Sequence, residues 1–401
     1  MRCPSSIVAV GFALAVCARA AAADFSFEGY ADFRLVAPAA ETSWLDGGLG
    51  KLRFGAGGHD PDLQFTEAVA QGVIALNDDW HVVAVGRFDP REQGYVDALE
   101  AYVAYRPNFE NWSGSLKAGA FFPPFSLENT DLGWTSPYTL TPSAIDSWIG
   151  DELRTVGAEA RVERHTAIGA FALTASAFCC NDPAGILIAE RGWTLDDRPT
   201  GLFEEAREPD ATLRYLGEPQ PASVPLFQEI DNRIGWYAGA SWSQAGIGKA
   251  ELYRYDNEAN AAAFSEDYHA WHTRFWSAGW ESHVGPFSIL AQGLSGDTTI
   301  VLLPGSTDET RFRSAYLLLS YDIGDWRLAA RADTFQTRAA QSFLSETGDA
   351  LTAALSWRPR DWLRVTAEII DITSTRDERT LEQLDPKQSE TQFQLSARFF
   401  I

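Results

Sequence analysis

Apolar and polar residues trade places at every second position along most of the chain. Phe393, Leu395, Ala397, Phe399 and Ile401 fall on one face; Gln392, Gln394, Ser396 and Arg398 fall on the other. Residues 27–35 repeat the pattern, with Phe27, Gly29, Ala31, Phe33 and Leu35 opposed to Glu28, Tyr30, Asp32 and Arg34. So do residues 350–358, where Leu351, Ala353, Leu355 and Trp357 oppose Thr352, Ala354, Ser356 and Arg358. A period of two is the mark of a strand. Segments of about 9–12 residues suit strands that cross a bilayer at a tilt. The pattern predicts strands over 25–37, 63–76, 80–88, 95–105, 112–121, 153–163, 167–178, 233–244, 248–256, 269–282, 287–296, 312–321, 326–336, 348–357, 362–373 and 390–401.

Those sixteen segments are joined by connections that alternate in length. Short ones span 77–79, 106–111, 164–166, 245–247, 283–286, 322–325 and 358–361. Long ones span 38–62, 122–152, 179–232, 257–268, 297–311, 337–347 and 374–389, with 89–94 the one short connection on that side. Short turns on one rim and long loops on the other are the layout of an outer-membrane barrel. Trp80, Tyr105, Trp112, Trp242, Trp280, Phe287, Tyr321, Trp326, Trp357 and Trp362 collect beside the short turns, as an interfacial girdle does. Hydrocarbon offers no water to an unpaired strand edge, so the sheet must close, last strand on first. The expected fold is all-β: a transmembrane antiparallel β-barrel of about 16 strands, with both termini at the short-turn rim.

Ahead of the first strand, residues 1–23 combine Arg2, an apolar run from Ile7 to Cys17, and Ala21-Ala22-Ala23 before Asp24. They read as a cleaved export signal, which leaves 24–401 as the barrel and places it in the outer membrane. The apolar run is too short to span a bilayer, and none of 18 residues follows it. A net charge of -23 excludes nucleic acid as a partner, since phosphate binding needs a basic face. Outside the signal the cysteines are adjacent Cys179 and Cys180, and neighbouring residues seldom bridge. His269 and His272 bring no four-ligand set, and no D-x-D-x-D-G loop occurs. No cofactor and no metal are expected.

Two loops carry the candidate chemistry. Loop 122–152, the third on the outer side, starts stiffly at Pro123-Pro124 and sets Phe125, Trp134, Tyr138 and Trp148 beside Glu128, Asp131, Asp146, Asp151 and Glu152. Four large aromatics suit a loop folded inward against the wall. Loop 179–232 is long and acidic, and suits a cover over the mouth, a clasp on a neighbouring subunit, or a mobile fringe. Alternation points Arg34, Arg87, Arg327, Arg331, Arg364 and Arg398 inward. An arginine arc facing Glu128, Asp131 and Asp146 across a constriction would set up a transverse field that favours polar solutes.

The stretch Gly119-Ala120-Phe121-Phe122-Pro123-Pro124-Phe125-Ser126-Leu127-Glu128 resembles the constriction-loop entry of Gram-negative porins, in particular the phosphate-selective porin O/P family. The resemblance implies a 16-stranded trimeric diffusion channel, with like subunits and outer-membrane lipid as its partners, narrowed by its third loop. It also implies rows of lysines that bind phosphate. Lys51, Lys117, Lys249 and Lys387 are all this chain has, too few for such a ladder. The expected function is passive diffusion of small hydrophilic solutes with a weak cation preference, not catalysis. The rival readings are an outer-membrane barrel enzyme of acyl-hydrolase type, for which no G-x-S-x-G occurs, and a secreted β protein that binds glycans.

Overall fold

The computed structural model describes residues 24–55, 60–92, 94–216, 222–265, 268–303, 305–340 and 344–401; the signal segment 1–23 lies outside them. Sixteen strands form the wall: β1 (Asp24–Ala37), β2 (Asp62–Ala75), β3 (Trp80–Phe88), β4 (Val96–Tyr105), β5 (Trp112–Phe121), β6 (Thr155–Thr166), β7 (Gly169–Cys179), β8 (Gly235–Gln244), β9 (Gly248–Asp256), β10 (His272–Val284), β11 (Phe287–Leu303), β12 (Ser306–Ile323), β13 (Trp326–Ala339), β14 (Glu346–Arg360), β15 (Leu363–Arg376) and β16 (Lys387–Phe400). Each pairs antiparallel with its chain neighbours. β1 closes on β16 from Tyr30 opposite Phe400 to Ala37 opposite Phe393.

Alternation decides which way each side chain points. Along β14 buried and exposed residues alternate from Glu346 to Trp357, with Leu351 out and Ala350 in. The outward faces carry the apolar residues that lipid requires, among them Leu173, Leu317, Leu319, Leu328, Ile369 and Phe393. Two-residue turns, Gly285-Pro286 and Gly324-Asp325, join β10 to β11 and β12 to β13. Each is opened by a glycine at φ 59°, a backbone shape that costs a side chain. Asn77 builds the β2–β3 turn by accepting the Asp79 and Trp80 N–H groups at 3.0 and 2.9 Å.

Aromatic rings stack along the short-turn rim. Trp80 lies over Tyr105 at 4.7 Å between centroids, Phe287 on Tyr321 at 4.8 Å, Trp326 on Trp357 at 5.7 Å, and Trp362 on Phe399 at 6.3 Å. Cross-strand pairs of this kind stabilise the sheet while presenting amphipathic rings at headgroup level.

Two expected loops are shorter than the sequence pattern predicts. Residues 297–311 continue β11 and β12 as a hairpin, with Thr299 opposite Glu309 and Val301 opposite Thr307. Residues 337–347 likewise shorten, because β13 runs to Ala339 and β14 starts at Glu346. The ladder runs on past the ends of the sixteen alternating segments. β-branched Thr and Val extend a strand equally well in water.

Candidate functional site: the filled lumen

Three outer connections send buried segments into the barrel: residues 49–54 of the first, the third (122–154) and residues 180–200 of the fourth. The third folds inward, as its aromatics require. Phe125 is fully buried among Tyr237, Tyr253, Tyr255 and Phe275, whose centroids lie 5.1–6.1 Å from its own. Helix α1 (Ala144–Glu152) starts at Ser143, whose hydroxyl accepts the Asp146 N–H at 3.2 Å. Its Trp148 packs on Phe312 at 5.0 Å and on Phe275 at 5.4 Å.

Wall carboxylates tie down the loop's backbone. Glu368 accepts the Leu140 and Thr141 N–H groups at 2.6 and 3.1 Å, and Glu100 accepts that of Phe122 at 3.1 Å. Arg331 works from the same wall. Its guanidinium donates to the carbonyls of Thr141 (2.7 Å) and Pro142 (2.9 Å), and pairs with Glu128 (3.3 Å) and Asp333 (2.8 Å). Glu100, Glu368 and Arg331 thus each have a loop partner, as a buried charge demands.

The fourth loop is where the sequence reading needs correction. Residues 180–200 are not a cover, a clasp or an acidic fringe; nearly all of them are buried inside the barrel. Helix α2 (Ile186–Glu190) docks on α1 through Glu152, which accepts N–H groups from Gly185 (2.6 Å), Ile188 (3.2 Å) and Leu187. Trp193 packs against Trp148 at 6.0 Å and donates its indole N–H to the Gln336 carbonyl at 3.1 Å. Asp197 meets Arg34 at 2.5 Å and Arg53 of the first loop at 3.1 Å. Arg198 meets Asp89 at 2.6 Å, and Glu204 meets Arg87 at 3.3 Å. The first loop adds Lys51 to Glu346 at 2.6 Å.

These contacts settle where each predicted pore-lining residue stands. Arg34, Arg87, Arg331, Arg398, Glu128 and Asp146 are buried. Arg34 and Arg398 share Asp32 at 2.8 and 3.0 Å, and Arg87 also pairs with Glu92 at 3.1 Å. Asp146 lies against Ser143 at 3.2 Å, and its carboxyl is pushed up by burial and by Glu128 beside it. These six do not form an exposed arc facing an acidic loop: arginines and carboxylates lie in contact, so their fields cancel locally. Arg327, Arg364 and Asp131 keep solvent access, with Arg327 on Asp322 at 2.6 Å and Arg364 on Asp131 at 2.9 Å.

Open space lies on the short-turn side, below the third loop. A cavity of about 550 Å³ is bordered by Glu28, Tyr30, Asp131, Arg358, Arg364 and Phe400. A second, of about 380 Å³, is bordered by Glu28, Glu100, Lys117, Asn129, Asp131 and Trp134. Both touch Glu28, Asp131 and Leu132, so together they make a charged vestibule beneath the loop tip. Its walls suit water, ions and small polar solutes.

No family model matches the chain, and no curated protein matches it. Solved structures do. The outer-membrane channel DcaP of Acinetobacter baumannii is 12% identical, with 96% of this chain and 99% of that chain covered and a TM-score of 0.58. OmpT, an outer-membrane protein of Vibrio cholerae, is 11% identical over 96% and 99%, with a TM-score of 0.56. OmpF of Salmonella typhi, solved with daunomycin, is 10% identical over 94% and 97%, with a TM-score of 0.53. The fold is that of outer-membrane porins. At such identities the likeness is one of fold alone, and the finer resemblance at Gly119–Glu128 gains no family match.

Sequence reasoning missed the second half of the lumen's filling. The inward faces of β8 to β15 carry Tyr237, Tyr253, Tyr255, Phe275, Leu290, Leu294, Phe312, Tyr316, Leu318, Phe335, Ile370 and Ile372, one core shared with Leu52, Ile145, Ile149, Ile188, Trp193 and Leu195. A barrel wall apolar on both faces is the signal that was available: lipid accounts for one face, and only packed protein accounts for the other. The run Ala184–Ala189 and Trp193 supply that protein. Cys179 and Cys180 also depart from expectation, being bonded to each other with Cα atoms 3.8 Å apart.

Proposed function

We propose that the chain is an outer-membrane channel for passive diffusion of small hydrophilic solutes. It is exported by its N-terminal segment and assembles with like subunits as a trimer. The observation that supports this best is a third loop held inside a closed 16-stranded wall, above a vestibule lined with charge. That arrangement suits sorting by size and polarity, which supports the reading as a diffusion channel rather than a catalyst. Four lysines cannot build a phosphate-binding ladder, so anion specificity is not part of the proposal. The vestibule's Glu28, Glu100, Asp131 and Asp361 slightly outnumber Lys117, Arg358 and Arg364, which favours a weak cation preference. Planar-bilayer recording of the refolded barrel under a salt gradient tests both statements. Discrete conductance steps with a reversal potential on the cation side are expected. A folded, heat-modifiable barrel that gives no steps would overturn the channel; a reversal potential on the anion side would overturn the preference.

A further inference from the structure

The root of the fourth loop carries a donor set for which diffusion has no use. In an extended strand, adjacent side chains point to opposite faces. Cys180 instead takes the left-handed conformation, at φ 65°, and this brings its sulfur round to that of Cys179. Both sulfurs and the Glu229 carboxylate lie within 4.8 Å of one another. Glu229 is shared with a second group, Asp182 and Asp231, that meets the same limit.

Backbone donors hold the carboxylates in place. Glu229 accepts the Cys180 N–H at 3.1 Å and the Asn232 N–H at 2.6 Å. Asp182 accepts those of Ile230 and Asp231 at 2.5 and 3.1 Å. The two ends of the 55-residue connection 180–234 are thereby pinned together, and the donor set is ordered before any ligand arrives.

We propose that Cys179, Cys180 and Glu229 form a redox-gated site for one thiophilic divalent cation of the zinc or cadmium class. In the bonded state the sulfurs carry no charge and are poor ligands. A low-molecular-weight thiol opens the site: the Cys179–Cys180 bond breaks, two electrons and two protons are taken up, and two reductant thiols become one disulfide. The cation then displaces the two thiol protons and forms two metal–sulfur bonds, with the Glu229 carboxylate as a third ligand and water completing the shell. Thiolates select zinc and cadmium over calcium and magnesium, which prefer all-oxygen sets. Asp182 and Asp231 place two further carboxyl groups beside the site. The site is independent of the channel reading and stands or falls on its own test.

The probe is Cd²⁺ added to the refolded full barrel in detergent micelles, before and after treatment with a thiol reductant that is then removed. Binding is read by equilibrium dialysis and by thiolate-to-cadmium charge-transfer absorption. One Cd²⁺ per chain with that absorption is expected after reduction, and none with it before. Excess Ca²⁺ should not displace it. Cys179→Ser and Cys180→Ser should each abolish the absorption. Glu229→Gln should weaken binding by at least the roughly 10–100-fold that losing an outlying supporting group costs. Glu205→Gln, an exposed acid elsewhere on the loop, should leave binding unchanged. Heat-modifiable migration confirms that each variant is folded. Reduced barrel without charge-transfer absorption, or equal Cd²⁺ uptake in both redox states, would overturn the proposal.

Discussion

Asp197→Asn tests whether the docked fourth loop narrows the proposed channel. The Asp197 carboxylate bridges two buried arginines, Arg34 on β1 at 2.5 Å and Arg53 in the first loop at 3.1 Å. Asparagine keeps the volume and removes the charge. Breaking a buried pair by removing one partner costs about 3–5 kcal/mol, because the other charge is left without compensation. Here Arg34 keeps Asp32 at 2.8 Å and Arg53 keeps Asp89 at 3.2 Å, so the low end, about 3 kcal/mol, is appropriate. At 1.4 kcal/mol per factor of ten, the ratio of undocked to docked loop rises about 100-fold. Single-channel recording in a planar bilayer reads this as more frequent and longer visits to a higher-conductance level. The effect should persist in molar salt, since buried pairs are little screened. Arg53→Gln should add less than its own share in the double variant, because both changes break one network. Traces of a folded Asp197→Asn barrel that match the parent in level and dwell time would refute the argument.

Acidity should tighten the same docking. Burial pushes the Glu152 carboxyl from its ordinary 4.5 up to about 7, and burial also raises Asp151 to about 6 and Asp196 to about 8. The docked form therefore binds more protons than the undocked form above about pH 4.5, so docking weakens as pH rises through 7. Bilayer conductance should climb from pH 5 to pH 8, and Glu152→Gln should flatten the climb. Selectivity should follow the vestibule: Asp131→Asn moves the reversal potential toward anions and Arg364→Gln toward cations, whereas buried Asp146→Asn has little direct effect. Cysteine labels at exposed Asp78 and Asp377 should be reached from opposite sides of the membrane; access to both from one side would sink the topology. Phe125→Ala should cost about 3–5 kcal/mol of packing, read as a loss of protease resistance of the third loop in the folded barrel.

The wall was legible because a membrane barrel obeys a strict period and lipid punishes any exception to it. Thr352 and Leu351 must point opposite ways whatever the rest of the chain does. The third loop was legible for a related reason: Phe125 and Trp148 have no favourable place in solvent. The extended hairpin at 297–311 was not, since its mixed polar and apolar residues keep no strict alternation. Its ladder of Thr298 to Thr310 and Thr299 to Glu309 depends on pairing, which no single-residue property records.

The lumen escaped for a deeper reason. The rule that a wide barrel is polar inside presumes that water fills it. Once loops fill it, the inside obeys the rules of a protein core, and large apolar side chains become favourable there. Phe275 and Tyr316 then read correctly only when paired with Phe125 and Trp148, which lie far away in sequence. The same holds for charge. Arg34 and Arg331 were visible as inward cations, but an inward cation is a selectivity element only if water reaches it. Asp197 and Glu128 turn both into clamps on loops. Whether a wall arginine speaks to the solute or to the protein is decided by the loop opposite, and that partner is set by how far the connection folds inward. Residues that border open water, Asp131 and Arg364 among them, are therefore where ion preference is to be sought. The buried pairs hold the inward loops against the wall.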